Sequence, residues 1–238
     1  MHLEAQPDWL RALVPVLLAG QPADWVQRWR NDLQAALTHL GGPAPFARVH
    51  AWQAEVVLPR LPEGAEDSDH ASVAALQQLH RRAALGLNGR RGEWLAALKP
   101  LLPALYRRAF PYATGYARAH AMALEYATAP ANTAMIAEHF GDARGYADYY
   151  AELSTEANAA AFADANSRAY AHMAASIFAD NDAAGYAGIC VGATRIWALA
   201  CAGSGEQDGE CRRRMLRDLA EGLNQCLIDA APVAADRF

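Results

Sequence analysis

Pro22-Ala-Asp-Trp25-Val-Gln-Arg-Trp29-Arg-Asn-Asp-Leu33-Gln-Ala-Ala-Leu37-Thr-His-Leu40-Gly41-Gly42 is the stretch whose reading decides the fold. Trp25, Trp29, Leu33, Leu37 and Leu40 recur at spacings of three and four, which lays one apolar stripe along an α-helix. Pro22 stands where a first helical turn tolerates proline, and the two glycines end the run. Composition extends this reading to the whole chain. Of 238 residues, 56 are Ala and only 14 are Val or Ile. Strands draw on β-branched residues, whereas Ala is the best intrinsic helix former, so β architectures are set aside. The hydrophobic share of 53% is too high for a disordered chain and ample for a core.

Punctuation marks off the other helices. One runs from Asp8, an N-cap candidate, to Gly20 with Pro15 inside it, and another from Pro45 carries Phe46, Val49, Trp52 and Val56 as far as Pro59. The loop from Pro59 to Asp69 holds two prolines, a glycine and four acids, and is the candidate internal boundary. Val73, Leu76, Leu79 and Ala83 stripe a helix over 72–87. Pro100 and Pro103 predict a kink or two short helices within 93–110, and Pro111 and Pro130 each open a further helix. Met215, Leu219, Leu223 and Leu227 form the buried stripe of a last helix over 209–230. The expectation is one all-α domain over residues 1–238, of about nine to eleven helices, as stacked antiparallel hairpins or an irregular bundle.

Asp142-Ala-Arg-Gly-Tyr146-Ala and Asp182-Ala-Ala-Gly-Tyr186-Ala lie 40 residues apart. Each reads as an aspartate cap opening a helix, with tyrosine one turn in. Their spacing is the period of helical-hairpin repeats, and a capping signature shared by unrelated helices gives the same pattern.

The net charge of -5 conceals two blocks. Residues 80–118 hold eight Lys or Arg against Glu93 alone, and residues 131–210 hold eleven acids against Arg144, Arg168 and Arg195. Either the blocks face each other within the fold, or the acidic stretch is a surface that steers a basic partner. The acidic balance disfavours nucleic acid. All nine tyrosines fall between Tyr106 and Tyr186, while the six tryptophans lie outside that window. A tyrosine among alanines projects its ring beyond its neighbours and carries a polar tip, which suits interfaces and pockets.

Catalytic and targeting patterns are few. GxGxxG, the Walker-type loop, GxSxG, HExxH and the ExxH pair of di-iron bundles do not occur. Gly188-Ile-Cys190-Val-Gly192 has the outline of a nucleophile elbow but falls inside a helix. Cys190, Cys201, Cys211 and Cys226 have no zinc-type spacing and read as reduced. A basic leader followed by an unbroken apolar run is missing at the start, and no stretch reaches the length of a membrane span free of charge. The chain is therefore expected to be cytoplasmic, with no membrane association, cofactor or metal.

The leading functional expectation is a non-catalytic binding module, of immunity or inhibitor type, presenting an acidic, Tyr-rich surface over about 106–186 to a basic protein. Its candidate residues are Tyr116, Tyr126, Tyr146, Asp148, Tyr149, Tyr150, Glu152, Glu156, Tyr170 and Tyr186. The alternative is a small-molecule enzyme or ligand-binding protein with a pocket between helices. Tyr116, Tyr146 and Tyr170 would line it, and His120, Glu125, Glu138, His139 and His172 would supply protons or ligands. A homo-oligomer is the third option.

Overall fold

Ten α-helices form among the described residues of the computed structural model, which are 3–61, 67–202 and 209–229, and no strand occurs among them. In chain order they are α1 (Asp8–Leu17), α2 (Ala23–Leu40), α3 (Ala47–Trp52), α4 (Asp67–Ala84), α5 (Arg91–Ala109), α6 (Tyr112–Thr128), α7 (Thr133–Phe140), α8 (Ala143–Ala179), α9 (Ala183–Ala202) and α10 (Glu210–Ile228). The all-α helical bundle expected from composition is the observed fold. Residues 62–66 of the candidate boundary loop lie outside the described residues. The helices flanking that loop, α3 and α4, pack on each other through the buried His50 and His80.

The main core collects Trp9, Leu10, Leu13 and Leu17 of α1, Trp29 and Leu33 of α2, Trp52 of α3 and Trp94 of α5 around α9 and α10. The helix α10 is held from two sides. The Trp29 indole N–H donates to the Ala220 carbonyl at 2.8 Å, and the Trp52 indole N–H to the neighbouring Leu219 carbonyl at 2.9 Å. Beyond α3 the backbone widens into a π-type turn over Gln53–Val57, which sets Val56 against Gly222 of α10.

Three local expectations are corrected. Of the two alternatives at Pro100 and Pro103, two short helices are not formed: α5 is one helix of 19 residues with both prolines inside it. Both prolines are exposed, while Leu98, Leu101, Leu102 and Leu105 are buried on the other face. The carbonyls the prolines leave without a donor thus lie toward water, and packing of the leucine face holds the helix. Asp8 is the first residue of α1, not its cap, because Pro7 takes that place. The 40-residue spacing is not a hairpin repeat. One 37-residue helix, α8, fills it. The capping signature itself is real: Asp142 accepts from the Gly145 N–H at 2.7 Å and Asp182 from the Gly185 N–H at 2.9 Å. At Gly185 a Cβ would lie 2.3 Å from the Asp182 carboxylate, and at Gly145 2.7 Å from the Phe140 carbonyl, so the glycine in each stretch makes room at the cap.

At ~1.5 Å per residue α8 is ~55 Å long. The helices α5 and α6, with 19 and 17 residues, run end to end antiparallel to it and meet at Phe110 and Pro111. Ala147, Ala151, Thr155, Ala159, Ala163, Ser167, Ala171 and Ala175 make an unbroken row of small buried residues along α8. A row at i, i+4 advances by about 40° per step, so it turns from α6 toward α5 along the helix. Ala123 and Ala127 are the buried residues of α6, which packs on α8, and with Ala147, Ala151 and Ala159 they stand outside the main core. The helix α6 packs on α8 and, at one end, on α7. The helices α6, α7 and the N-terminal half of α8 therefore form an arm with an alanine interior, joined to the core through α8.

Candidate functional site: a tyrosine-rich helical arm

An interior made mostly of single methyl groups takes up few large side chains: Ile136 of α7 is buried, and most of the others on the arm stand outward. Of the eleven large apolar side chains exposed on the described residues, seven are on the arm: Met122, Leu124, Tyr126, Met135, Tyr149, Tyr150 and Leu153. That concentration, rather than any concave cavity, marks the candidate site.

One flank of the arm is acidic. Gly115 of α6 lies against Thr155 of α8, and beside this contact Tyr112, Tyr116 and His120 of α6 stand along Asp148, Glu152 and Glu156 of α8. The Tyr116 hydroxyl donates to Asp148 Oδ1 at 3.2 Å, and His120 Nε2 lies 3.1 Å from the same oxygen. Tyr112 stacks on Tyr116 with ring centres 6.4 Å apart, and Tyr116 on His120 at 6.1 Å. Loss of water around the Tyr116 ring, followed by its bond to Asp148, raises its phenol above the ordinary range. Tyr112 is raised in the same way, first by packing and then by the charges of Glu156 and Glu152.

A second, aromatic flank is built from Tyr126 of α6, Phe140 of α7 and three tyrosines of α8. Tyr126 and Tyr146 ring centres are 5.9 Å apart, and Tyr146 and Tyr150 stack at 6.0 Å. Phe140 packs on Tyr146 at 5.0 Å and on Tyr149 at 5.6 Å.

Eight of the ten candidate binding residues share this arm. Tyr170 and Tyr186 do not: both are core residues, 8% and 1% exposed, and burial drives their phenols well above the usual value. Tyr186 accepts a hydrogen bond from the Gln53 amide at 3.1 Å. Tyr146 and Tyr186 thus begin helices with the same local sequence and end in opposite environments.

The histidines of the alternative pocket do not converge. His120 sits at Asp148; His172 lies roughly 36 Å further along α8, its Nδ1 3.3 Å from Arg91 Nη2. His139, Glu138 and Glu125 are exposed on α7 and α6. No group of three potential metal ligands assembles among the described residues. Cys190 is a buried core residue of α9 whose thiol is pushed up to about 11 by burial, the opposite of an activated nucleophile.

Among the described residues the charge blocks do not pair across the fold through salt bridges. Arg81 and Arg82 bind Glu55 and Glu93, and no salt bridge among the described residues joins 80–118 to an acid of 131–210. The arm carboxylates face tyrosines and a histidine instead. One helix, over Ala183–Cys201, is long and apolar enough to cross a membrane. Its Tyr186, Cys190, Ala193 and Trp197 are buried in the core.

One buried cluster went unnoticed in the sequence. His50 and His80 lie with their Nδ1 atoms 2.9 Å apart among Phe46, Trp94, Phe178 and Tyr186. The only signal was a histidine at an apolar position of each helical stripe.

Comparison with known proteins returns no matching family model, no matching curated protein and no matching solved structure.

Proposed function

We propose that this chain is a non-catalytic protein-binding module, of the immunity or inhibitor type, that docks a basic protein through the α6–α8 arm. The observation that carries the reading is the pairing on one arm of most of the exposed large apolar side chains among the described residues with a row of carboxylates that form no salt bridge to an arginine there. Exposed aromatic area supplies the contact energy, and a row of like charges raises the association rate and rejects acidic partners.

The test compares wild-type protein with an Asp148→Asn, Glu152→Lys, Glu156→Lys variant, each immobilised and exposed to lysate of the native host. The expected result is a protein retained at fixed stoichiometry by the wild type, released as salt rises past ~0.15 M, and lost with the variant. Equal retention by both forms, or retention indifferent to salt, overturns the electrostatic part. A small molecule carried by the purified protein, with no protein partner, favours the pocket reading instead.

A further inference from the structure

The outer face of α8 carries a second stripe. Tyr146, Tyr149, Tyr150 and Leu153 stand at i, i+3, i+4 and i+7, the spacing by which a helix buries an apolar seam against another helix. The opposite face of the same turns already buries Ala147, Ala151 and Thr155 against α6. Beyond Tyr146, which is half-buried between Tyr126 of α6 and Phe140 of α7, the outer stripe has no such cover among the described residues. Tyr149 is 54% exposed, Tyr150 43% and Leu153 53%, with Phe140 resting on Tyr149 as well. Glu152 and Glu156 follow one another at i+4 along one side of this stripe, in the place where flanking charges select a partner helix, while Asp148 is turned toward Tyr116 and His120 of α6.

From this juxtaposition we infer that the arm takes an amphipathic α-helix of its partner, laid along α8 and presenting apolar residues at the same period with Lys or Arg on the side that meets Glu152 and Glu156. The inference rests on the protein-binding reading above and names the partner's recognition element. Charge decides against a second copy of this chain. In a two-fold antiparallel pairing of α8 with itself, the acidic row of one copy faces the same row of the other, and like charges along a seam oppose association. A basic helix meets no such penalty. An extended basic segment would gain the charge but leave the stripe of Tyr149, Tyr150 and Leu153 in water. Two turns of stripe followed by the small Ala157 and Ala160 leave a flat track for a helix of about three turns.

The experiment uses the full chain and two fluorescein-labelled 21-residue peptides of one composition. One has Leu at positions a and d of three heptads with Lys at the flanking positions, and the other is the same residues scrambled. Binding is read by fluorescence anisotropy, and the peptide's helicity by circular dichroism. The expected result is that the patterned peptide binds at least tenfold tighter than the scrambled one and gains helicity on binding. Tyr149→Ala/Leu153→Ala lowers its affinity at least tenfold, and Glu152→Gln/Glu156→Gln lowers it in a salt-dependent way. Both double variants alter exposed residues, and unchanged far-ultraviolet spectra verify their fold. Equal, salt-dependent binding of the two peptides, insensitive to Tyr149→Ala/Leu153→Ala, overturns the helix inference and leaves the acidic docking surface standing. Absence of binding by either peptide overturns both. A dimer of the wild-type chain that Tyr149→Ala/Leu153→Ala dissociates assigns the stripe to a second copy and also overturns the inference.

Discussion

His50 and His80 share one short contact, Nδ1 to Nδ1 at 2.9 Å, inside a shell of aromatic rings. The contact needs one ring to donate and the other to accept, which two neutral imidazoles of different tautomer satisfy, and burial among aromatic rings favours that neutral state. Full protonation would set N–H against N–H.

This contact predicts acid sensitivity. Burial lowers His50 to about 4, and burial together with the neighbouring His50 lowers His80 well below its ordinary value. The unfolded chain therefore binds more protons than the native one below pH ~6.5, and stability falls as pH drops. The contribution is fully present above pH ~6.5 and is lost as pH falls toward 4. For His50 alone the difference is worth roughly 3 kcal/mol. Urea unfolding at pH 7.5 and pH 4.5 should show a loss of that order, and a His50→Phe/His80→Leu variant should flatten the dependence. A wild-type curve independent of pH would contradict the neutral pair.

Two glycines in helices should respond in opposite directions to alanine. Propensity alone favours Ala over Gly by up to ~1 kcal/mol in a helix interior. At Gly192 of α9 an added Cβ meets nothing within 4 Å, so Gly192→Ala should stabilise by a few tenths to ~1 kcal/mol. At Gly222 of α10 the same Cβ would lie 2.3 Å from Val56 Cγ1 and 2.7 Å from Cγ2. Gly222→Ala should therefore destabilise by about 1–3 kcal/mol as α10 is forced off the π-type turn. Thermal unfolding of the two variants reads the sign directly.

The arm should unfold apart from the core. Ala151 is fully buried against α6, and a leucine there has no space to enter. Ala151→Leu should cost the arm about 1–3 kcal/mol and raise hydrogen exchange through α6 and α7, while amides of α1, α9 and α10 keep their protection. Uniform loss of protection would show that arm and core form one cooperative unit.

The clamp on α10 should be measurable through its indoles. Trp52→Phe removes the hydrogen bond to the Leu219 carbonyl while keeping a ring in the core, and should cost about 1–2 kcal/mol. Trp52→Ala adds a cavity and should cost about 3–5 kcal/mol. Denaturant titrations of the two variants separate the bond from the packing.

What the sequence determined by itself was whatever is local. The stripe from Trp25 to Leu40, the scarcity of β-branched residues and the two aspartate caps specify helices through contacts within a few residues. The placement of most candidate tyrosines and acids in one window was equally legible, and Tyr116, Tyr126, Tyr146, Asp148, Tyr149, Tyr150, Glu152 and Glu156 do share the arm. Tertiary structure alone decided which face of each alanine-rich helix is inside. Alanine occurs on every side of α8, so its pattern carries no contrast, and burial follows from where α5 and α6 lie. Tyr146 and Tyr186 make the point: the same capped start sends one ring to a surface flank and the other into the core, because Tyr126 and Phe140 lie beside one and Phe46, Gln53 and Phe178 enclose the other. The continuity of α5 through Pro100 and Pro103 and the meeting of His50 with His80 are likewise long-range outcomes. Both depend on what packs against a residue, which no spacing along the chain records.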